Sequence, residues 1–174
     1  MLACLLASSA SVVRAETPFG HRTVAEVRAI TFYTREIRLF RKEAWYWQRV
    51  MGVRPTRLGV RRLAALSIPS IKRLDSRWHR VERLASRQAH NPPRLAAWLC
   101  IHRYEGSWSD SGAPYWGGLQ MDLSFQSTYG GWLLREKGTA DHWSPLEQIW
   151  TAVRAARTRG FSPWPNSARM CGLM

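Results

Sequence analysis

The sequence lacks the features that mark several common classes of protein. Beyond its N-terminal stretch it has no run of about 18 apolar residues, which argues against an internal membrane-spanning helix. It has no glycine-rich phosphate loop and no helix-turn-helix, zinc-finger or RNA-binding signature. Its histidines, among them His79, His90, His102 and His142, show no paired ligand spacing. The sequence therefore predicts no metal site and no cofactor.

Acidic residues are few, so the chain has a net positive charge, and this charge is distributed unevenly along the sequence. The 174 residues include 26 Lys and Arg against 12 Asp and Glu, a net charge of +14. Residues 1–90 carry +12 of this charge and residues 91–174 carry +2. Tryptophan is abundant, with ten residues, seven of them after residue 90. We therefore distinguish a basic half from an aromatic half and expect the chemistry in the second.

The first fifteen residues form an apolar stretch that ends in small residues before Glu16. This pattern is typical of a secretory signal without its positive n-region, and an ordinary N-terminal segment is the alternative. Cysteine is scarce, with three residues. Removal of Cys4 with a signal would leave Cys100 and Cys171, which an oxidising compartment could pair or which could stay as buried thiols. We expect a secreted or cell-surface protein.

Residues 16–90 predict two or three amphipathic helices, arranged as a helical hairpin. A capping box begins at Thr23, and apolar residues then recur every three or four positions as far as Gly52. The same spacing returns between Pro69 and Asn91. The outer faces of these helices would carry the cationic residues Arg35, Arg38, Arg41, Lys42, Arg61, Arg62, Arg73, Arg77, Arg80 and Arg87.

Three interpretations of this basic segment stay open. It can be a solvated spacer, a surface attracted to anionic cell-wall polymers or lipid headgroups, or a nucleic-acid-binding surface. Nucleic acid is the least favoured of the three, because no recognised nucleic-acid-binding motif accompanies the charge.

The aromatic half contains a glutamate at the predicted end of a helix. Asn91 and the two prolines after it predict the start of this helix, with Asn91 as its cap, and Gly106 predicts its end. Glu105 would then lie among the exposed carbonyl groups of the helix C-terminus, where the negative potential disfavours a charged carboxylate. Cleavage of a glycosidic bond needs a protonated carboxylic acid to protonate the leaving oxygen. We predict Glu105 as that general acid.

Flat aromatic rings and one side-chain amide follow Glu105. Rings supply apolar platforms for the faces of sugars, and an amide can form hydrogen bonds with sugar hydroxyl and N-acetyl groups. A glycine pair between them admits close approach to the backbone. We predict a sugar groove lined by Trp108, Tyr115, Trp116, Gln120 and Tyr129.

Two more helices are predicted in the aromatic half. Residues 125–131 favour a short helix that ends at its glycine pair, and Ser144 begins a capping box for a helix that ends at Gly160. Trp98 and Trp150 have helix-face spacing, and we expect both in the core.

The order of these motifs resembles the transglycosylase-like domain of resuscitation-promoting factors, a branch of the lysozyme-like superfamily. The resemblance covers residues 91–174 and rests on Trp98 with Cys100, Glu105 to Trp108, Gly117 to Gln120, Gln126 to Tyr129, Trp164-Pro165 and Cys171-Gly172. It implies a mostly α, small lysozyme-like catalytic domain after the basic helical segment. It also implies peptidoglycan as the substrate, Glu105 as the single catalytic acid, and a disulfide between Cys100 and Cys171.

The chain departs from the pattern of this family at three points. In the family the first cysteine usually adjoins the catalytic glutamate, whereas Cys100 lies five residues before Glu105. Residues 166–170 add length before the last cysteine, and the usual Ser-Gly order after the glutamate is reversed.

A second carboxylate and the class of function stay open in the sequence. Asp110 and Asp122 are the nearest candidates, and both positions are more typical of ordinary loop or capping aspartates. In lytic transglycosylases a second carboxylate can be dispensable, because a hydroxyl of the sugar attacks and an anhydro product forms. The leading interpretation is a muralytic enzyme that cuts peptidoglycan glycan strands. The alternative is a non-catalytic peptidoglycan-binding module with a basic tether.

Overall fold

The computed structural model describes residues 22–59 and 62–174, and within them the protein is built from helices. The α-helices are α1 (Val24–Met51), α2 (Ile68–Ala89), α3 (Leu95–Glu105), α4 (Leu123–Lys137), α5 (Pro145–Arg159) and α6 (Pro165–Met170). This confirms the predicted mostly α class. The predicted signal segment and Arg61 lie outside the described residues. No helix within them combines the length and apolarity needed to cross a membrane.

The basic helix pair, α1 and α2, begins and ends close to the predicted positions. The Thr23 hydroxyl accepts a hydrogen bond from the Glu26 N–H at 3.2 Å, and the Glu26 carboxylate accepts one from the Thr23 N–H at 2.8 Å. Gly52, with a φ of 71°, ends α1. The predicted inner faces are buried, with Ile37 and Trp78 each 1% exposed.

The two basic helices run in the same direction, which corrects the predicted helical hairpin. At the start of α1 the Arg22 guanidinium donates to the Ala64 carbonyl, shortly before α2 begins, and in mid-helix the Phe40 ring stacks on His79. The linker of residues 52–67 therefore leads back to the start of α1. Its 16 residues reach about 50 Å when extended, whereas the 28 residues of α1 are about 42 Å long.

Buried and part-buried hydrogen bonds join the basic helix pair to the aromatic half. The Trp150 indole of α5 donates to the Ala89 carbonyl at 2.8 Å. Arg154, one turn further along α5, donates to the carbonyl groups of Val50 and Tyr129. Burial lowers the pKa of Arg154 to about 10, so the guanidinium stays charged at neutral pH.

Glu147 is a buried carboxylate that also links the two halves. Its oxygens accept hydrogen bonds from the Tyr46 hydroxyl of α1, the Lys137 ammonium of α4 and the Ser144 N–H, each at 2.7 Å. Burial acts to raise the pKa of Glu147, but these hydrogen bonds outweigh it, and the pKa lies below its usual value. Burial and the contact with Glu147 raise the pKa of Tyr46.

We expect Glu147→Gln to lower the free energy of unfolding by roughly 3 kcal/mol, because Lys137 and Tyr46 would lose a buried charged partner. Since folding lowers the pKa of Glu147, its contribution is present above the ordinary carboxyl pKa and is lost as the pH falls through the folded-state value. Urea unfolding of both proteins across the acid range measures this, and the difference between them should shrink at low pH. The control Glu136→Gln alters an exposed ion pair and should cost less than about 1 kcal/mol. Equal losses in the two variants would contradict the assignment.

Two predicted helix ends in the aromatic half are wrong. Asn91 does not cap α3; its side-chain amide donates to the Arg87 carbonyl of α2 at 2.8 Å, and α3 begins after Arg94, whose φ is 58°. α4 does not end at its glycine pair but continues past it with a kink at Gly130. A Cβ at Gly130 would lie 2.6 Å from the Trp143 ring, so this glycine makes room for packing.

Two structural predictions for the aromatic half are confirmed, the helix that Ser144 begins and the burial of Trp98 and Trp150. Ser144 begins α5 with a complete capping box, and Gly160 ends it. Trp98 and Trp150 lie in the core, with exposed fractions of 1% and 5%.

Candidate active site

The candidate site forms where the end of α3 meets α6. Glu105 is the last residue of α3, as predicted, and its side chain is half-buried. The Ser167 hydroxyl of α6 donates to Glu105 Oε1 at 2.5 Å. Because a hydroxyl can donate to a carboxylate and accept from a carboxylic acid, Ser167 can hold this side chain in place in either protonation state.

Gly106 brings the following loop against the end of α3. Its φ is 152°, and a Cβ at this position would lie 3.2 Å from Asp110 Oδ2 and 3.3 Å from Gln120 Nε2. A side chain here would be both strained and crowded. The site loop, residues 107–122, therefore packs directly beside the residue that follows Glu105.

Gln120 lies in a tight turn of the site loop. Its φ of 46° is left-handed, which is uncommon for a residue with a side chain. Its amide nitrogen donates to Asp110 Oδ2 at 2.9 Å and to the Gly117 carbonyl at 3.0 Å, and a bridge between Trp116 and Met121 closes the turn. The protein thus uses both amide protons of Gln120, and the carbonyl oxygen is the part that a ligand could reach.

At the glycine pair of the site loop, Gly117 and Gly118, other side chains of the protein fill the space beside the backbone. A Cβ at Gly118 would lie 2.5 Å from His102 Nδ1 and 2.6 Å from Trp108 Cε3. Trp108 is half-buried and stacks on His102 with ring centroids 3.8 Å apart. One face of Trp108 is therefore used in packing the site loop on α3, and a ligand could meet only the remainder of the ring.

Gln148, a residue that the sequence does not single out, fixes the site loop to α5. Its side chain is fully buried, and Oε1 accepts a hydrogen bond from the Gly118 N–H at 2.8 Å. Its Nε2 lies 2.8 to 3.0 Å from the carbonyl oxygens of Trp108, Ala140 and Trp143. The available signal was a polar residue within an apolar stretch of helix, which is weak without knowledge of its partners.

A cleft of about 150 Å³ lies beside the site loop. Tyr115 and Gln120 line it together with Phe125, Arg159 and Trp164. The Tyr115 side chain is 49% exposed, so its ring is open to a ligand. The Trp164 indole donates to the Leu119 carbonyl at 2.7 Å and so forms a fixed wall.

The structure does not bring all of the predicted residues into one groove. Trp116 is half-buried beside its bridge partner, and Tyr129 on α4 packs on Phe125 with ring centroids 4.9 Å apart. Glu105 does not line the cleft itself; Gly106, the residue after it, lies so near the cleft wall that a Cβ at this position would be 3.3 Å from Gln120 Nε2.

Both aspartates considered as a second carboxylate have local structural partners. Asp110 accepts hydrogen bonds from the Gly112 N–H at 3.0 Å and from Gln120 at 2.9 Å. Asp122 caps α4 by accepting a hydrogen bond from the Phe125 N–H at 2.7 Å. These are the loop and capping roles typical of aspartate. Acid chemistry at this site would therefore rest on Glu105.

A disulfide connects the two helices that carry Glu105 and Ser167. Cys100 of α3 bonds Cys171, the residue after α6, with Cα atoms 6.0 Å apart and a sequence separation of 71 residues. This confirms the implied pairing even though Cys100 is displaced from the family position. A structural disulfide is typical of an oxidising compartment outside the cytoplasm.

Comparison of the chain with protein-family models, with curated proteins and with solved structures finds no match. The resemblance to the transglycosylase-like domain therefore depends on the order of the sequence motifs alone. Across residues 22–59 and 62–174, no three His, Cys, Asp or Glu side chains are grouped so that they could hold a metal ion.

Proposed function

We propose that the protein is a muralytic enzyme that cleaves peptidoglycan glycan strands between N-acetylmuramic acid and N-acetylglucosamine. The observation that supports this most directly is the half-buried Glu105 carboxyl, which is bound by Ser167 at the end of α3. The site loop and the disulfide cysteines follow the same order along the sequence as in the family that the motifs resemble. That resemblance supplies the substrate class.

In this mechanism Glu105 acts first as an acid and then as a base. It protonates the glycosidic oxygen while the bond to the anomeric carbon breaks through an oxocarbenium-like transition state. The resulting carboxylate then accepts a proton from the attacking hydroxyl group. Attack by a hydroxyl of the same sugar gives an anhydro product, whereas attack by water gives a reducing end. Ser167 would hold the Glu105 carboxyl through both steps.

The cleft beside the site loop would hold the sugar that adjoins the cleaved bond. The exposed ring of Tyr115 can pack on a sugar face. The Gln120 carbonyl oxygen can accept a hydrogen bond from an N-acetyl N–H, because its amide nitrogen is already held by Asp110. Trp108, Trp116 and Tyr129 do not line this cleft, so the proposal gives them no direct contact with the sugar bound there.

Digestion of purified peptidoglycan by the full chain, followed by mass spectrometry of the soluble products, tests the proposal. Anhydro products would identify a lytic transglycosylase, and new reducing ends would identify a muramidase. Retained binding to peptidoglycan without any soluble product would overturn the enzymatic proposal in favour of the peptidoglycan-binding module.

The basic helix pair is proposed to keep the enzyme at an anionic cell-wall or membrane surface. We expect the full chain to sediment with isolated cell walls at low salt and to be released as salt rises, because the screening length falls from about 10 Å at 0.1 M to about 3 Å at 1 M. Quantifying the protein in pellet and supernatant across a salt series measures this release. Glu105→Gln should sediment in the same way, since the charge lies elsewhere. Retention that is independent of salt would refute the tethering role.

A further inference from the structure

A groove between α1 and α4 gathers cationic side chains away from the candidate active site. Its volume is about 440 Å³. One stripe of α1 forms one wall, and Trp132 and Glu136 of α4 contribute to the other. The cations of the stripe are Arg38, Arg41, Lys42 and Arg49. The groove exists only because the basic helix pair packs on the aromatic half.

Aromatic rings hold two of these arginines in place. The guanidinium carbon of Arg41 lies 5.0 Å from the centre of the Trp45 ring, and that of Arg49 lies 4.5 Å from the centre of the Trp132 ring. Cation–π attraction fixes such a guanidinium while its N–H donors stay available to an anion. The rings therefore reduce the entropy that the arginines would lose on binding.

One acidic residue lines the groove with the four cations. Glu136 pairs with Arg49 at 3.2 Å, and the two side chains are 55% and 51% exposed. An exposed pair of this kind contributes little to stability, so an anionic ligand can take the place of Glu136 as the partner of Arg49. The neighbouring cation Lys137 is already bound to the buried Glu147. The groove can therefore bind an anion, and Glu136 competes only weakly with that anion for Arg49.

We propose that this groove binds a polymer that carries phosphate esters at successive positions. Arginine forks match the oxygens of phosphate. The stripe from Arg38 to Arg49 spans about 16 Å along the helix. Because this distance is longer than one phosphate group, a ligand that contacts the whole stripe needs several phosphate groups. Single-stranded nucleic acid is less favoured, because guanidinium groups already lie over the Trp45 and Trp132 rings on which bases would stack. The inference deepens the proposed tethering role and gives it a defined site.

A titration of the full chain with linear polyphosphate at about 0.15 M salt, with tryptophan fluorescence as the measure of binding, tests the inference. We expect polyphosphate to bind more tightly than inorganic phosphate, and Arg38→Gln/Arg41→Gln to weaken its binding about tenfold or more. The matched control Arg77→Gln/Arg80→Gln removes the same charge from exposed positions on α2 and should change the affinity less than about twofold. Glu136→Gln should tighten binding.

Four results would each overturn the inference. Equal weakening by the two arginine double variants would mean that net charge alone binds the polymer. Tighter binding of oligothymidylate than of polyphosphate of equal charge would assign the groove to nucleic acid, and binding to phosphatidylglycerol vesicles without binding to polyphosphate would assign it to lipid. No gain from Glu136→Gln, a substitution at an exposed site, would also contradict it. Glu105→Gln should leave polyphosphate binding unchanged, so this test is independent of the cleavage reaction.

Discussion

Glu105→Gln is expected to abolish the release of soluble muropeptides, with a fall in rate of about a hundredfold or more. The amide keeps the shape of the side chain and can still bind the Ser167 hydroxyl, but it cannot protonate a leaving oxygen. The rate of product release, measured by chromatography and mass spectrometry, gives the size of the effect. Circular dichroism and thermal unfolding show whether the fold is retained.

Two further variants separate the acid from its surroundings. Ser167→Ala should lower the rate less than Glu105→Gln does, because it removes the group that positions the acid and leaves the acid in place. Glu43→Gln makes the same chemical change at an exposed position of α1, outside both the cleft and the cationic groove, and should leave the rate unchanged. If Glu105→Gln released products at the normal rate with an unaltered fold, Glu105 would not be the general acid.

The replacement of both disulfide cysteines by serine is expected to lower the free energy of unfolding by roughly 4 kcal/mol. The bond between Cys100 and Cys171 has a sequence separation of 71 residues, and a cross-link over a loop of this length constrains the unfolded chain by about that amount in the chain-entropy model. Urea unfolding of the oxidised protein and of the double variant measures the difference.

Reduction of the natural protein offers a control for the disulfide prediction. A reductant should lower the melting temperature of the natural protein and leave that of the serine variant unchanged. Thiol titration of denatured, unreduced protein from an oxidising compartment should find no free thiol at these two positions. If both titrate as free thiols, the disulfide is absent, and the inference of an oxidising compartment fails with it.

The helices of this protein were predictable where their signals are local. Thr23 and Ser144 begin α1 and α5 because a hydroxyl and a glutamate three residues later satisfy each other's backbone N–H groups. Asn91 carries a capping signal too, but its amide binds the preceding helix instead. The same side chain can satisfy either helix end, and the sequence does not say which partner is closer.

The direction of α2 and the packing of the kinked α4 depend on distant parts of the chain. The linker before α2 is long enough to permit either direction, so apolar spacing alone could not distinguish a parallel pair from a hairpin. The glycine pair that includes Gly130 predicts a helix end, because glycine weakens helices. Gly130 lies within α4 because a larger residue would collide with Trp143.

The position of Glu105 at the end of α3 was predictable, whereas its partners in the candidate site were not. Glu105 precedes a glycine at a helix end, and that pattern is local. Its partner Ser167 is 62 residues away and lies in an ordinary short helix. Gln148 likewise has no neighbour in sequence that would reveal its role, because its partners belong to the site loop and to the turn before α5.

The basic and aromatic halves meet near residue 90, and the buried residues of α5 connect them. Five residues separate α2 from α3, and Trp150 and Arg154 each donate a hydrogen bond to the basic helix pair. Each of these donors would cost about 1 to 3 kcal/mol if left buried without its acceptor. If the basic helix pair binds the cell wall as proposed, these contacts would hold Glu105 at a set distance from the cationic surface. The surface charge would then select which strands of the cell wall the acid can reach.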